Sequence, residues 1–242
     1  MAKGQRRFLW TVVILAAILA PAYYLLVLQS PSEGADYSID IAKVRALANA
    51  FPGDKATEIR YENIMTFRFS EAMVMAGDPW HWTPVPVYSY QLVFPDKTLI
   101  VDTAMNREIA KPDFLVPMYD DAAYQRMDQA MDQASMIVIT HEHMDHIGGL
   151  AAHPHLAALM PKVRLTTEQA NDPEDMKPAV IAPELLKNYS PLQYDRMVAI
   201  APGVVLIKSP GHTPGSQIVY VQRADGRELL LLGDVAWHLR NI

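Results

Sequence analysis

Ten residues in the second half of the chain constrain this protein more than any other stretch. Residues 140–149 read THEHMDHIGG and place four metal-ligand side chains within six positions. These are His141, His143, Asp145 and His146. Neutral imidazoles and a carboxylate at this density suit Zn²⁺, with Fe or Mn as alternatives. An apolar run of β type precedes the stretch, so it predicts a metal site at the end of a buried strand.

Three further blocks make the chain resemble a known family. The HEHMDH segment matches the H-x-H-x-D-H signature of the metallo-β-lactamase-fold hydrolases. The other blocks, in the superfamily's order, are LIVDTA at 99–104, SPGHTPGS at 209–216 and LLLGD at 230–234. The resemblance implies an α/β protein with the αββα metallo-β-lactamase sandwich. It does not select the substrate, because one fold hosts many chemistries.

The resemblance also implies which side chains bind metal. Six positions correspond to the ligands of two zinc ions, with iron or manganese as alternatives. They are His141, His143 and His212 for the first metal, Asp145 and His146 for the second, and Asp234 as a carboxylate that bridges both.

Asp102 corresponds to a family aspartate that lies beneath the metals and orients a ligand histidine. Such a partner fixes the tautomer of the imidazole and raises its basicity. Ala104 stands where the family usually has glycine. Because alanine disfavours positive φ, we expect the turn after this strand to differ slightly.

The implied chemistry is two-metal hydrolysis of a small ester, lactone or thioester. A hydroxide that bridges the metals attacks the carbonyl carbon, since the cations lower the pKa of bound water. Asp145 is the candidate catalytic residue, which steers the hydroxide or passes a proton to the leaving group. The chain has no cysteine, which excludes β-lactamases with a cysteine ligand on the second zinc. It is similar instead to lactonases and glyoxalase-II-type thioesterases; β-lactamase, phosphodiesterase and di-iron redox activities are less favoured.

The family pattern is incomplete at the C-terminal end. The superfamily usually has a last histidine some tens of residues after the bridging aspartate, whereas eight residues follow Asp234. His238 lies only four positions after Asp234, too close for this role. We therefore expect a sandwich without its last strands and helices, as a fragment or a truncated protein. An alternative function follows, a metal-binding scaffold that is catalytically impaired.

Residues 8–28 form an apolar segment without charge. Twenty-one residues in a helix reach about 31 Å, the thickness of a bilayer core. The basic tail at 1–7 predicts a cytoplasmic N-terminus, a single-pass anchor, a linker at 29–38 and an extracytoplasmic catalytic domain at 39–242. The alternative is a signal sequence that is cleaved to release a secreted protein.

The remaining predictions concern partners. With the basic tail set aside, 18 basic and 27 acidic residues remain, a charge of −9 that does not attract nucleic acid. The segment DPWHWTPVP at 78–86 predicts a loop, in which Trp80, His81 and Trp82 line a pocket for a partly apolar small molecule. A packed surface loop is the alternative reading of these three residues.

Hydrophobic periodicity predicts the elements around the site. Helices are expected at 39–50 and 120–135, with a further helix starting near Gly148 or Gly149. His153 and His155 match no family position and are assigned to the surface. Strands are expected at 58–70, 72–75, 87–94, 98–102, 136–140, 163–166, 197–200, 204–208, 217–223 and 228–232.

Overall fold

The computed structural model describes residues 3–24, 38–75, 77–110, 118–238 and 241. They belong to two compact units, one from residues 1–38 and 69–83 and one from residues 39–68 and 84–242. The first unit contains helices α1 (Lys3–Tyr23) and α3 (Glu71–Val74). The second unit contains the candidate site.

Helix α1 is, among the described residues, the one helix long and apolar enough to cross a membrane. None of its described side chains is buried, and Pro21 lies inside it without ending it. The predicted anchor extends to residue 28, but residues 25–28 and most of the predicted linker lie outside the described residues.

The prediction of a strand at 72–75 is wrong, because this segment forms the short helix α3. The N–H of Met75 donates to the carbonyl of Glu71, so the turn satisfies its own backbone. The N–H groups of Glu71 and Ala72 donate to residues of the loop that follows, His81 and Pro79. Four apolar residues are too few to distinguish a strand from a helical turn.

The first sheet has six strands. In spatial order they are β4 (Met118–Tyr119), β1 (Glu58–Ser70), β2 (Trp82–Val93), β3 (Thr98–Val101), β5 (Met136–Val138) and β6 (Val163–Arg164). Strands β2 and β3 form the predicted antiparallel hairpin, whereas β3, β5 and β6 are parallel. The ligand stretch therefore leaves the sheet beside the end of β3, where Asp102 lies.

The second sheet has four antiparallel strands. They are β10 (Glu228–Leu231), β9 (Gln217–Gln222), β8 (Val204–Lys208) and β7 (Met197–Ala201) in spatial order. All four agree with the predicted strands to within one or two residues. The shorter helices are α5 (Met144–Ala151), α6 (Leu156–Leu159), α7 (Thr167–Asn171) and α8 (Pro183–Lys187).

The sheets pack face to face, and their facing apolar side chains form one buried core. It comprises Leu92, Phe94, Leu99, Val101 and Val138 from the first sheet and Val204, Leu206, Val219, Val221 and Leu231 from the second. Helix α2 (Ile41–Ala50) packs Val44 and Ala48 on the outer face of the second sheet. Helix α4 (Asp121–Gln133) lies against the first sheet at β3. These four layers confirm the predicted αββα architecture.

Strand β2 begins at Trp82, five residues before the predicted start at 87. Much of the predicted loop is therefore strand, although it contains Pro84 and Pro86. Among the described residues, β3 pairs with Tyr90–Val93 of β2, so both prolines lie before the stretch of β2 that pairs on that side. A missing N–H is tolerated at such a position, which is why the prolines do not end the strand.

Helix α5 begins at Met144, four residues before the predicted start. The carbonyl of His143 accepts hydrogen bonds from the N–H groups of His146 and Ile147 and so opens the first turn. Gly149 lies inside the helix. Glycine is needed there because a Cβ would overlap the carbonyl oxygen of Thr103. The second half of the ligand motif is consequently helical.

The prediction that His153 lies on the surface is wrong, whereas His155 is exposed as predicted. Nε2 of the buried His153 faces Asp128 and Asp132 on α4 at 3.7 and 3.6 Å. Its Nδ1 accepts the backbone N–H of His155 at 3.1 Å. Two carboxylates one turn apart provide polar surroundings that make burial of an imidazole tolerable.

Candidate metal centre

Four separate segments converge at one end of the two sheets. The stretch after β5 contributes two histidines, helix α5 an aspartate and a histidine, the β8–β9 loop His212, and the turn after β10 Asp234. Two groups of donor atoms result, each with all atoms within 4.8 Å of one another. The first group is His141, His143, His212 and Asp234, and the second is Asp145, His146 and Asp234.

The three histidines of the first group face one another. The ring centroids of His141 and His143 are 4.9 Å apart, those of His141 and His212 4.8 Å, and those of His143 and His212 4.6 Å. Nε2 of His212 lies 3.0 Å from Nδ1 of His143. Three imidazole nitrogens therefore point into a common space.

Asp234 belongs to both groups. One carboxylate oxygen lies 3.4 Å from Nε2 of His212 and 3.8 Å from Nε2 of His141. The other oxygen lies 3.1 Å from Nε2 of His146 in the second group. Its two oxygens thus face different donor sets, which is the arrangement that a bridging carboxylate requires.

The donor set fits a divalent metal ion. Nε2 of His141 is buried and has no hydrogen-bond partner, although a buried ring nitrogen normally has one. Burial, together with the nearby His146, lowers the pKa of His141 far below its ordinary value, despite the opposing effect of Asp234. The imidazole is therefore neutral and offers the lone pair that zinc binds.

Burial acts on the two carboxyl groups of the site, but their pKa values shift in opposite directions. Burial raises the pKa of Asp145. Burial also acts to raise that of Asp234, but hydrogen bonds with His146 and His212 outweigh it and keep the pKa below its ordinary range. Asp234 is consequently an anion at neutral pH, as a metal ligand must be.

Asp102 lies directly behind His146. One of its oxygens accepts the N–H of Thr140 at 2.6 Å, and the other accepts the Thr140 hydroxyl at 2.7 Å. The second oxygen is also 2.9 Å from Nδ1 of His146, so Asp102 favours a proton on Nδ1, and loss of the other ring proton leaves the Nε2 lone pair for a metal. Asp102 and Ala104 both have positive φ, 59° and 49°. Ala104 therefore adopts the left-handed conformation in which glycine is favoured.

Glu142 lies behind the metal site, and sequence reasoning missed its role. It lies between two predicted ligands, yet it is fully buried and bonds with the His212 loop instead of the metal space. The signature treats this position as variable. No residue near Glu142 in the sequence indicates this role, because its partners lie in the later loop that contains His212.

The remaining predicted residues belong to neither donor group. His238 is exposed and belongs to neither group. Trp80, His81 and Trp82 lie in the first unit and are exposed, with Trp80 at 77% and Trp82 at 64% of their full surface. Their assignment to a substrate pocket stays a prediction.

Known proteins include relatives of this chain. A model of the metallo-beta-lactamase superfamily matches residues 82–238, more than half of the chain. The N-acyl homoserine lactonase AiiA of Bacillus thuringiensis subsp. kurstaki is 26% identical over 172 residues, which cover 65% of this chain and 66% of that protein. An N-acyl homoserine lactonase of Bacillus cereus is 25% identical over 178 residues, with coverages of 67% and 69%. This chain thus spans just under two thirds of the length of the B. thuringiensis relative.

Solved structures share the fold. A quorum-quenching N-acyl homoserine lactone lactonase superposes with a TM-score of 0.60 at 20% identity, over 77% of each chain. An N-acyl homoserine lactone hydrolase with the product N-hexanoyl-L-homoserine bound at its catalytic metal center also gives 0.60, at 19% identity, over 77% of this chain and 79% of that one. At these identities the likeness concerns the fold alone.

Proposed function

Because this chain belongs to the metallo-beta-lactamase superfamily, we propose that it is a metal-dependent hydrolase that opens the ester ring of small acyl lactones. The observation that carries the proposal is the convergence of two donor groups on the one carboxylate of Asp234. The lactone preference is supported by the relatives named N-acyl homoserine lactonases. Thioesters and other small esters share the same carbonyl chemistry.

The donor groups define which residues would hold the metals. His141, His143 and His212 would hold the first zinc, Asp145 and His146 the second, and Asp234 both. When bound, a pair of zinc ions polarises the carbonyl and lowers the pKa of water to near neutrality. Iron and manganese are alternatives that these nitrogen and oxygen donors also accept.

The protein's own part in the reaction is to orient these groups and to move a proton. Asp102 holds His146 in one tautomer, so no reorientation is needed during the reaction. Asp145 has 18% of its side chain exposed and lies 3.8 Å from Nε2 of His146, at the open side of the second group. We assign it the transfer of a proton to the alkoxide that leaves when the lactone ring opens.

The substrate class is tested with the full chain in detergent, loaded with zinc. N-acyl homoserine lactones, a thioester, a phosphodiester and a β-lactam are assayed in parallel, with His143→Ala as the control. We expect the lactones to give the largest kcat/KM. No turnover above the control in protein that binds zinc would instead support the metal-binding scaffold.

We also propose that α1 anchors the protein in a membrane, with the catalytic unit on the extracytoplasmic side. Its length, its exposed apolar surface and the basic residues Lys3, Arg6 and Arg7 support this, although a signal sequence shares these features. After expression with a C-terminal tag, we expect an intact chain in the carbonate-washed membrane fraction. A shorter, soluble chain whose N-terminus lies beyond residue 20 would contradict the anchor.

A further inference from the structure

We propose that Glu142 is a positioning residue, which holds the loop bearing His212 in the place that the first metal requires. The inference rests on the proposed metal site but concerns a side chain outside it. The His212 loop is defined here as residues 209–216. Its position decides whether the third imidazole meets the other two.

Glu142 is attached to this loop through both carboxylate oxygens. The hydroxyl of Thr213 donates to Oε2 at 2.9 Å, and the N–H of Gly215 donates to Oε1 at 3.1 Å. Glu142 itself is fully buried, so water does not compete for these bonds. The two hydrogen bonds are made to Thr213 and Gly215, on either side of a single turn, so together they determine where the turn lies.

The loop is built to receive this carboxylate. A Cβ at position 215 would overlap Oε2 of Glu142, so only glycine allows the approach. The N–H of Thr213 donates to Oγ of Ser216 at 3.0 Å, and the N–H of Ser209 donates to the carbonyl of Ser216 at 2.8 Å. These hydrogen bonds join the two ends of the loop. Glu142 therefore positions the loop as a whole.

A second hydrogen-bonded support reaches the same glycine. Nε2 of Gln169 donates to the carbonyl of Gly215 at 3.0 Å and to the carbonyl of Ile139 at 2.9 Å. Gln169 therefore links the loop to the end of β5, from which the ligand stretch emerges. We therefore expect the loop to stay folded without Glu142, although the bond from Thr213 to Glu142 is the one made directly beside His212.

The consequence concerns metal geometry. Glu142 lies between His141 and His143 in the sequence. It accepts a hydrogen bond from Thr213, the residue directly after His212. Glu142 thereby links the positions of the three imidazoles of the first group. His141 and His143 are its neighbours along the backbone, and His212 is linked to it through the loop. A displacement of His212 by a fraction of an ångström changes the ligand geometry, and partners behind metal ligands typically change affinity by about 10–100-fold.

Cobalt(II) is the probe that tests this inference. Its visible absorption reports coordination number and geometry, and competition with a chelator gives its affinity. We compare the full wild-type chain with Glu142→Ala, Glu142→Gln and Thr213→Val, and use Glu184→Ala, at an exposed position on α8, as the matched control. We expect Glu142→Ala to weaken the tighter site about 10–100-fold and to shift its spectrum.

The other variants grade the effect. Glutamine keeps the shape and one acceptor oxygen, so Glu142→Gln should lose less affinity than alanine. Thr213→Val removes the hydroxyl that bonds with Glu142 and with Ser216 but leaves the Glu142 side chain in place, and it keeps the test valid if Glu142→Ala does not fold. Wild-type affinity and spectrum in Thr213→Val and in whichever Glu142 variants fold would overturn the positioning role alone. A folded wild type that binds no cobalt would overturn the proposed function together with this inference.

Discussion

Replacing His212 by alanine is expected to reduce lactone hydrolysis at least about a thousandfold, since loss of the first metal removes several kcal/mol of transition-state stabilisation. His212 provides one of three imidazoles in the first group and also lies 3.4 Å from Asp234. Its loss leaves the first metal with two histidines and a shared carboxylate. The measurement is kcat/KM together with metal content on the same sample.

His155→Ala is the matched control for this experiment. His155 is exposed and belongs to neither donor group, so activity and metal content should match those of the wild type. Thermal unfolding of the metal-free proteins shows whether His212→Ala retains its fold. Full activity with an unchanged metal content in His212→Ala would exclude this residue as a ligand.

Replacing Asp102 by alanine is expected to lower the free energy of unfolding by about 3 kcal/mol, because it leaves buried donors without an acceptor. The orphaned groups are the N–H and hydroxyl of Thr140 and Nδ1 of His146. Alanine must also adopt the φ of 59° found at this position, which adds strain. Urea unfolding of the metal-free chain measures the change.

Asp102→Asn separates stability from metal binding. Asparagine tolerates positive φ and keeps the volume, so most of the stability should remain. Its amide can donate to Nδ1 of His146, which would move the ring proton to Nε2, the atom that faces the metal. We expect the affinity of the second site to fall about 10–100-fold, while the first site is less affected. Wild-type affinity at both sites would show that Asp102 does not set the tautomer.

The ligand residues could be identified from the sequence because each has a local signature. Short windows of sequence suffice to recognise the His141–His146 motif, the glycine-flanked His212 and the Asp234 that follows an apolar strand. The family resemblance then predicted that these residues meet at one metal site. The strand at 58–70 was predicted with the observed bounds, since β-branched and aromatic residues recur along its whole length. Proline in β2 was read as a loop signal, because sequence does not show which edge of a strand lacks a partner.

The features that sequence reasoning missed depend on partners far along the chain. The hydrogen-bond partners of Glu142 are Thr213 and Gly215, which come 71 and 73 positions later in the chain. Nothing within the motif around Glu142 indicates these partners. His153 looks like a surface histidine until Asp128 and Asp132 of α4 are placed beside it. Periodicity reports which face of an element is apolar, but it does not report which polar side chains will meet.

Metal analysis of the wild-type chain tests the central claim most directly. The full-length protein is loaded with zinc, freed of excess metal by gel filtration and analysed by mass spectrometry. Two donor groups that share Asp234 should retain about two zinc ions per chain, each with the usual four-coordinate preference of zinc. A correctly folded chain that retains no zinc would contradict the metal centre and the hydrolase function built on it.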